Sequence, residues 1–200
     1  DMWCTQFDNS VVEDAGLLKM DFLGLRTLTI IKEACRLVKQ RHGVELDPDS
    51  FPLDDTKTYD LFQRGETVGI FQYESAGMQK YLKELKPTEF ADLIAMNALY
   101  RPGPLEYIPE FIDRKHGRKE ISYDLDAMEG KLKETYGITV YQEQGMLLSQ
   151  ELAGFTKGQA DMLRKGMGKK KKDIIDMLKP MFLDGGEERG HNRDILEKVW

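Results

Sequence analysis

Along most of this chain, apolar residues recur at the three- and four-residue spacing of an amphipathic helix, bounded by recognisable starts and stops. Leu28, Ile30, Ile31, Ala34, Cys35 and Val38 form one such stripe, with Thr27 placed to cap it and Gly43 to end it. A Pro/Asp-rich connection over 47–52 leads into a short helix over 55–63, stopped at Gly65. Ser75 starts a helix carrying Met78, Tyr81, Leu82 and Leu85, and Pro87 stops it. Thr88 caps the next, with Phe90, Leu93, Ile94 and Leu99 turned inward. Residues 142–152 are helical through Met146, Leu147 and Leu152, and end at Gly154. Thr156 and Gln159 have the spacing of a capping box, opening a helix on which Ala160, Leu163 and Met167 share one face. Gly166 and Gly168 are expected to loosen its end. A helix over 173–183 is expected to kink or stop at Pro180. Gly185-Gly186 then separates it from a last helix beginning at Asn192.

Three stretches read as short strands, near 17–23, 67–71 and 138–141. The first alternates, with Leu18, Met20 and Phe22 on one face and Lys19 and Asp21 on the other. Two charged residues facing the same way from a strand are either a structural ion pair or a carboxylate for a metal ion beside a lysine for a phosphate. The fold implied is mainly α with a few short strands (α+β), in one large domain or two small ones.

Charge changes the picture at one place. The 200 residues carry 29 Lys/Arg and 35 Asp/Glu, a net charge of −6, so general coating of a polyanion is excluded and any nucleic-acid contact must be local. Arg164, Lys165, Lys169, Lys170, Lys171 and Lys172 nevertheless lie within nine residues that contain no acid. With Arg164 at the edge of the apolar stripe and Lys165 on its polar flank, this is a helix-borne guanidinium and ammonium beside a flexible basic turn, a pattern that fits phosphates. It is not a P-loop: Leu163 stands where a glycine is needed and Lys170 where Ser or Thr is needed. A second basic stretch, Arg114, Lys115, His116, Arg118 and Lys119, is diluted by Glu110, Asp113 and Glu120 and reads as a solvated face. Arg101 precedes Pro102-Gly103-Pro104 and is presented by a stiff turn.

Cys4 and Cys35 have neither metal-ligand spacing nor a disulfide framework, which fits a reducing cytoplasm. No apolar run approaches the roughly 20 residues of a membrane span, and no signal-peptide pattern opens the chain. An opening Asp1 and a closing periodic segment without a C-cap signal suggest a piece of a longer protein.

Taken together, the blocks Lys19-Met20-Asp21-Phe22-Leu23-Gly24-Leu25-Arg26-Thr27-Leu28, Phe71-Gln72-Tyr73-Glu74-Ser75, Arg101-Pro102-Gly103-Pro104, Phe111-Ile112-Asp113-Arg114-Lys115-His116-Gly117, Tyr141-Gln142-Glu143-Gln144 and Met162-Leu163-Arg164-Lys165-Gly166-Met167-Gly168-Lys169-Lys170 make the chain similar, from about Ala15 onward, to the α subunits of bacterial DNA polymerase III, the C-family replicative polymerases. The resemblance implies the end of a palm domain over 1–27 and a fingers domain over 28–200. It implies that Asp21 is the third catalytic carboxylate and a metal ligand, and that Lys19 lies near the incoming triphosphate. It also implies that Arg164 and Lys165 hold that triphosphate. On charge, Arg101, Arg114, Lys115 and Lys169 to Lys172 are the candidates for contact with DNA. The chemistry implied is two-metal nucleotidyl transfer with Mg²⁺, from dNTPs to a primer 3′-OH on primer-template DNA. The sliding clamp, clamp loader and proofreading subunit would bind outside this stretch. The family's Asp-x-Asp is missing before Asp21, so the isolated chain is expected to be inactive. The usual Arg-Arg is here Arg164-Lys165, which exchanges a fork for a point charge. Gly166 replaces a more common Ala, and Gly145 a more common Val. Other classes compatible with the pattern are a helix-turn-helix module over 142–168 and a helical protein-interaction domain.

Overall fold

The computed structural model describes residues 3–200, which divide into two compact units at Phe51/Pro52. Ten α-helices, four 3₁₀ turns and no strand are found among the described residues.

The first unit runs through a series of turns to Gly16, then a stretch without regular structure, then α1 (Arg26–His42) and a 3₁₀ turn at Pro48–Ser50. The strand expected near 17–23 is a correction. The stretch has no regular structure: a strand exists only by pairing, and no strand is present among the described residues to pair with it. Lys19 is half-buried and Asp21 exposed. Thr27 does not cap α1, because the helix starts two residues earlier than that cap requires, at Arg26, and its N-cap Leu25 has no side-chain acceptor. Gly43 does end it, at φ 68°, the left-handed conformation glycine adopts without penalty. Within this unit the apolar stripe of α1 builds no core: Leu28 and Ile30 are each 66% exposed.

The second unit holds α2 (Thr56–Gln63), α3 (Ala76–Leu85), α4 (Phe90–Leu99), α5 (Ile108–Lys115), α6 (Glu129–Leu132), α7 (Gln142–Ala153), α8 (Lys157–Gly168), α9 (Lys172–Glu188) and α10 (Arg193–Val199). It has two cores. Tyr59, Met78, Leu82, Leu85, Met96, Leu99 and Phe111 belong to one, which joins α2 to α5; Leu132, Leu152, Phe155, Leu163, Leu178, Phe182 and Leu196 belong to the other, which joins α6 to α10. Each fully buried side chain of this size stabilises by about 1.5–3 kcal/mol. Most starts match the sequence pattern: Asp55 accepts from the Thr58 N–H, Ser75 from the Met78 N–H, and Asn192 from the N–H groups of Asp194 and Ile195. Thr88 is one residue early. Glu89 is the N-cap, because Asp92 at the third helical position reaches back to the N–H groups of Thr88 and Glu89.

The other two expected strands are also corrected. Residues 67–71 form tight turns, Thr67 Oγ1 donating to the Tyr73 carbonyl at 2.6 Å, with Gly69 at φ 84°. Residues 138–141 form no ladder: the Ile138 N–H donates to the Thr135 carbonyl at 3.0 Å, and Gln144 Oε1 accepts from Val140 and Tyr141 at 2.8 and 2.9 Å. Neither Pro180 nor Gly185-Gly186 breaks a helix, for both lie inside α9. Buried Leu178, Phe182 and Leu183 hold the helix on both sides of the proline, and Asp176, whose carbonyl loses its N–H partner, is exposed to water. A Cβ on Gly185 would collide with the Ala153 carbonyl at the end of α7, and one on Gly186 with Leu196 of α10. The glycine pair therefore permits close helix approach rather than ending a helix.

Candidate functional site

The site builds outward from α8. Thr156 and Gln159 form both halves of a capping box, the Thr156 N–H donating to Gln159 Oε1 at 2.8 Å and the Gln159 N–H to Thr156 Oγ1 at 3.3 Å. Ala160, Leu163 and Gly166 are the buried face, and α7, α8 and α9 pack on one another. Met167, expected inside, is 45% exposed. Gly166 takes the inner position because α9 comes close: a Cβ there would lie 3.0 Å from Ile174 and Ile175. The expectation that Gly166 and Gly168 loosen α8 is corrected, since the helix runs through both.

This anchoring puts Arg164 and Lys165 on one exposed turn, with Asp161 between them. Arg164 donates through Nε and Nη2 to Asp161 Oδ1 at 3.1 and 2.7 Å, and Lys165 Nζ lies 2.7 Å from Oδ2. Both oxygens of one carboxylate are thus occupied by two cations. The Lys165 and Arg164 hydrogen bonds hold the Asp161 carboxyl below the usual range, so it is an anion at neutral pH. All three side chains remain open to water, 37–58% exposed, and screening keeps such a pairing weak and exchangeable.

The basic turn after α8 has a defined geometry. The Lys170 N–H donates to the Met167 carbonyl and the Lys171 N–H to the Gly166 carbonyl, with Lys170 left-handed at φ 51°. This is a Schellman ending with lysine where glycine is usual. Lys169, Lys170, Lys171 and Lys172 are all exposed, and among the described residues none is ion-paired. Lys171 and Lys172 stand at the N-terminus of α9, which has no side-chain cap. Cations there oppose the helix dipole and strengthen the attraction for an anion.

Arg101 is exposed on its turn, its N–H donating to the Leu99 carbonyl at 2.8 Å, and Gly103 supplies φ 100°. Arg114 and Lys115 are placed elsewhere. Lys115 Nζ is 2.7 Å from Asp92 Oδ2, with side chains 8% and 1% exposed, and donates to Thr88 Oγ1. Arg114 pairs with Glu110 at 2.6 Å and donates to the Tyr136 carbonyl. Arg118 pairs with Asp113, Lys119 with Glu110, and His116 Nε2 meets the Leu85 carbonyl at the end of α3. As they stand, Arg114 and Lys115 offer no surface to a polyanion; Lys115 ties α5 to Asp92 of α4, and Arg114 ties α5 to the turn at Tyr136.

Asp92 is the residue that sequence reasoning passed over. It accepts from Lys115, the N–H groups of Thr88 and Glu89, and the Tyr136 hydroxyl. Its position three residues after an N-cap was the available signal. Burial, then the Asp92 and Glu89 charges, push the Tyr136 phenol far above its ordinary range.

Asp21, expected to bind metal, lies exposed in the first unit. No group of three or more His, Cys, Asp or Glu side chains is arranged to share a metal ion among the described residues. The residues present therefore do not by themselves fit the two-metal site that the resemblance implies. No helix among the described residues is long and apolar enough to cross a membrane.

Comparison with known proteins reaches the same stretch. The pattern of the bacterial DNA polymerase III alpha subunit finger domain matches residues 27–190. The chain is similar to DNA polymerase III subunit alpha of Aquifex aeolicus, 51% identical over 198 residues, covering 98% of this chain and 17% of the relative. The same protein is matched in Bacillus subtilis, 45% identical over all of this chain and 18% of the relative, and in Escherichia coli K12, 48% identical over 98% and 18%. The chain thus spans about a sixth of the length of the curated relatives it matches.

Proposed function

We propose, from the premise that this chain belongs to the bacterial DNA polymerase III α-subunit family and matches its finger domain, that it is the nucleotide-facing part of a DNA-directed DNA polymerase that replicates the bacterial chromosome in the cytoplasm. Residues 1–27 are then the end of the palm and 28–200 the fingers. The observation that carries the reading is the exposed turn of α8. Buried Ala160 and Leu163 fix the backbone, so the Arg164 guanidinium and Lys165 ammonium are aimed rather than loose, and four lysines without an ion-pair partner among the described residues follow within seven residues.

In this reading Arg164 and Lys165 bind the triphosphate of the incoming dNTP and meet the charge that builds on the departing pyrophosphate. Fixed cations aimed at developing charge lower a barrier without reorganising. Lys19 and Asp21 belong to the palm end, Lys19 as a triphosphate contact and Asp21 as one carboxylate of a Mg²⁺ set whose other ligands would come from the rest of the polymerase. Arg101 and Lys169 to Lys172 draw primer-template DNA, their field reaching about 8 Å in physiological salt. Arg114 and Lys115 act on DNA only indirectly, by holding the fingers in shape. The clamp, clamp loader and proofreading subunit engage other parts of the polymerase. A helix-turn-helix use of α7 and α8 is disfavoured because Asp161 stands on the exposed face and would meet phosphate.

In the intact polymerase, Arg164→Ala is expected to remove a charge-assisted contact worth roughly 1.5–3 kcal/mol. Nucleotide incorporation efficiency falls about tenfold or more, while DNA affinity is nearly unchanged. If DNA binding weakens as much as incorporation, the triphosphate role is lost and α8 belongs to the template. If neither changes, α8 serves only packing or protein contact.

A further inference from the structure

Resting on the reading of α8 as the triphosphate helix, we infer that Asp161 is a built-in counter-anion: a positioning and selectivity residue that occupies Arg164 and Lys165 when no nucleotide is bound and is displaced by the triphosphate. Three features carry this. First, the pairing is complete on the carboxylate side, Oδ1 accepting from Arg164 Nε and Nη2 and Oδ2 facing Lys165 Nζ. All three side chains are on one helical turn, at i, i+3 and i+4, so they meet without any help from the fold. Second, the pairing is exposed. At 37–58% exposure it is screened by water, unlike the Lys115–Asp92 pair at 8% and 1%, so a ligand can compete with it. Third, the neighbouring Lys169 to Lys172 carry no such partner among the described residues. A built-in anion is therefore confined to the two cations assigned to the triphosphate and is withheld from those assigned to DNA.

The physical consequence is discrimination among anions. A single phosphate of a nucleic-acid backbone brings one negative charge and must displace a carboxylate already held by three hydrogen bonds. A triphosphate brings several charges on adjacent groups and can replace all three at once. Asp161 therefore lowers the affinity of Arg164 and Lys165 for every anion, but blocks the weak, singly charged ones. It also keeps the guanidinium fork oriented between turnovers and favours release of pyrophosphate, which holds the same cations less completely than the triphosphate does.

The test uses the intact polymerase and inorganic tripolyphosphate as the probe, titrated by calorimetry without nucleotide. Asp161→Asn keeps shape and removes charge; it is expected to tighten tripolyphosphate binding about fivefold, and to lower the inhibition constant of pyrophosphate and the KM for dNTP in the same direction. Asp161→Glu restores the carboxylate and should return all three quantities toward the wild-type values. A merely structural aspartate would loosen binding when lost, so the direction of change is the readout. Unchanged or weaker binding by Asp161→Asn, while Arg164→Ala weakens it, overturns the counter-anion and leaves the triphosphate reading standing. If Arg164→Ala and Lys165→Ala also bind tripolyphosphate as the wild type does, the triphosphate reading itself fails, and the inference with it.

Discussion

The basic stretches at 114–119 and 164–172 resemble one another in composition and have opposite fates. In the first, Arg114, Lys115, Arg118 and Lys119 all have carboxylate partners, and Lys115 is withdrawn almost wholly from water. In the second, Lys169 to Lys172 are exposed and unpaired among the described residues, and Arg164 and Lys165 share one weakly held carboxylate. Positive charge in sequence is therefore a poor guide to an anion site until the acids have been located in space. Glu110 and Asp113 are close in sequence to the cations they neutralise. Asp92, 23 residues before Lys115, is not, and it has the largest effect.

The sharpest way to break this comparison is Lys115→Met. It leaves Asp92 buried without its cation and should destabilise the second unit by about 3–5 kcal/mol, read as weakened hydrogen-exchange protection in α4 and α5 of the intact polymerase. Adding Asp92→Leu should recover much of the stability, because an apolar pair needs no counter-charge. Recovery that fails would mean that the Thr88 and Glu89 N–H groups, rather than the ion pair, carry the stability.

Next in size is neutralisation of Lys169 to Lys172 by glutamine. DNA affinity should fall and its salt slope flatten by roughly 0.7–0.9 for each phosphate no longer neutralised, with helix protection unchanged and a smaller effect on the nucleotide step. Weaker protection in α8 or α9 would show that the lysines are structural after all.

The smallest effect is at alkaline pH. The Tyr136 phenol is raised above its ordinary value of 10.0, so the stability it contributes is complete below pH 10 and is lost as pH rises toward the folded-state value. Tyr136→Phe should flatten that alkaline limb in a denaturation series, whereas Arg164→Ala should leave it as it is. An unaltered limb in Tyr136→Phe would detach the tyrosine from the Asp92 network.

Legibility followed the range of the interaction. Caps and stops made within four residues could be read directly: Asp55, Ser75, Asn192, the Thr156/Gln159 box, and the left-handed glycines at 43 and 154. The expectation of strands failed because 17–23, 67–71 and 138–141 have the extended or alternating pattern without a partner strand among the described residues. At 138–141 the ladder's place is taken by the Gln144 amide, a substitution that periodicity cannot reveal. Pro180 and Gly185-Gly186 misled in the same way. Their local preference is to break a helix, but buried neighbours on both sides and the approach of α7 and α10 outweigh it.

By itself, then, the sequence determined where most helices begin, which stripes are apolar, and that one run of cations contains no acid, because those properties arise from neighbours along the chain. It also carried enough ordered blocks for the family to be identified. Only the tertiary structure decided which charges are free. Burial of Asp92 draws Lys115 inward, the close approach of α9 demands glycine at 166, and the resulting seat of α8 turns Asp161, Arg164 and Lys165 together to the solvent. These outcomes depend on which residues distant in sequence come to share a low-dielectric interior, and no local pattern encodes that.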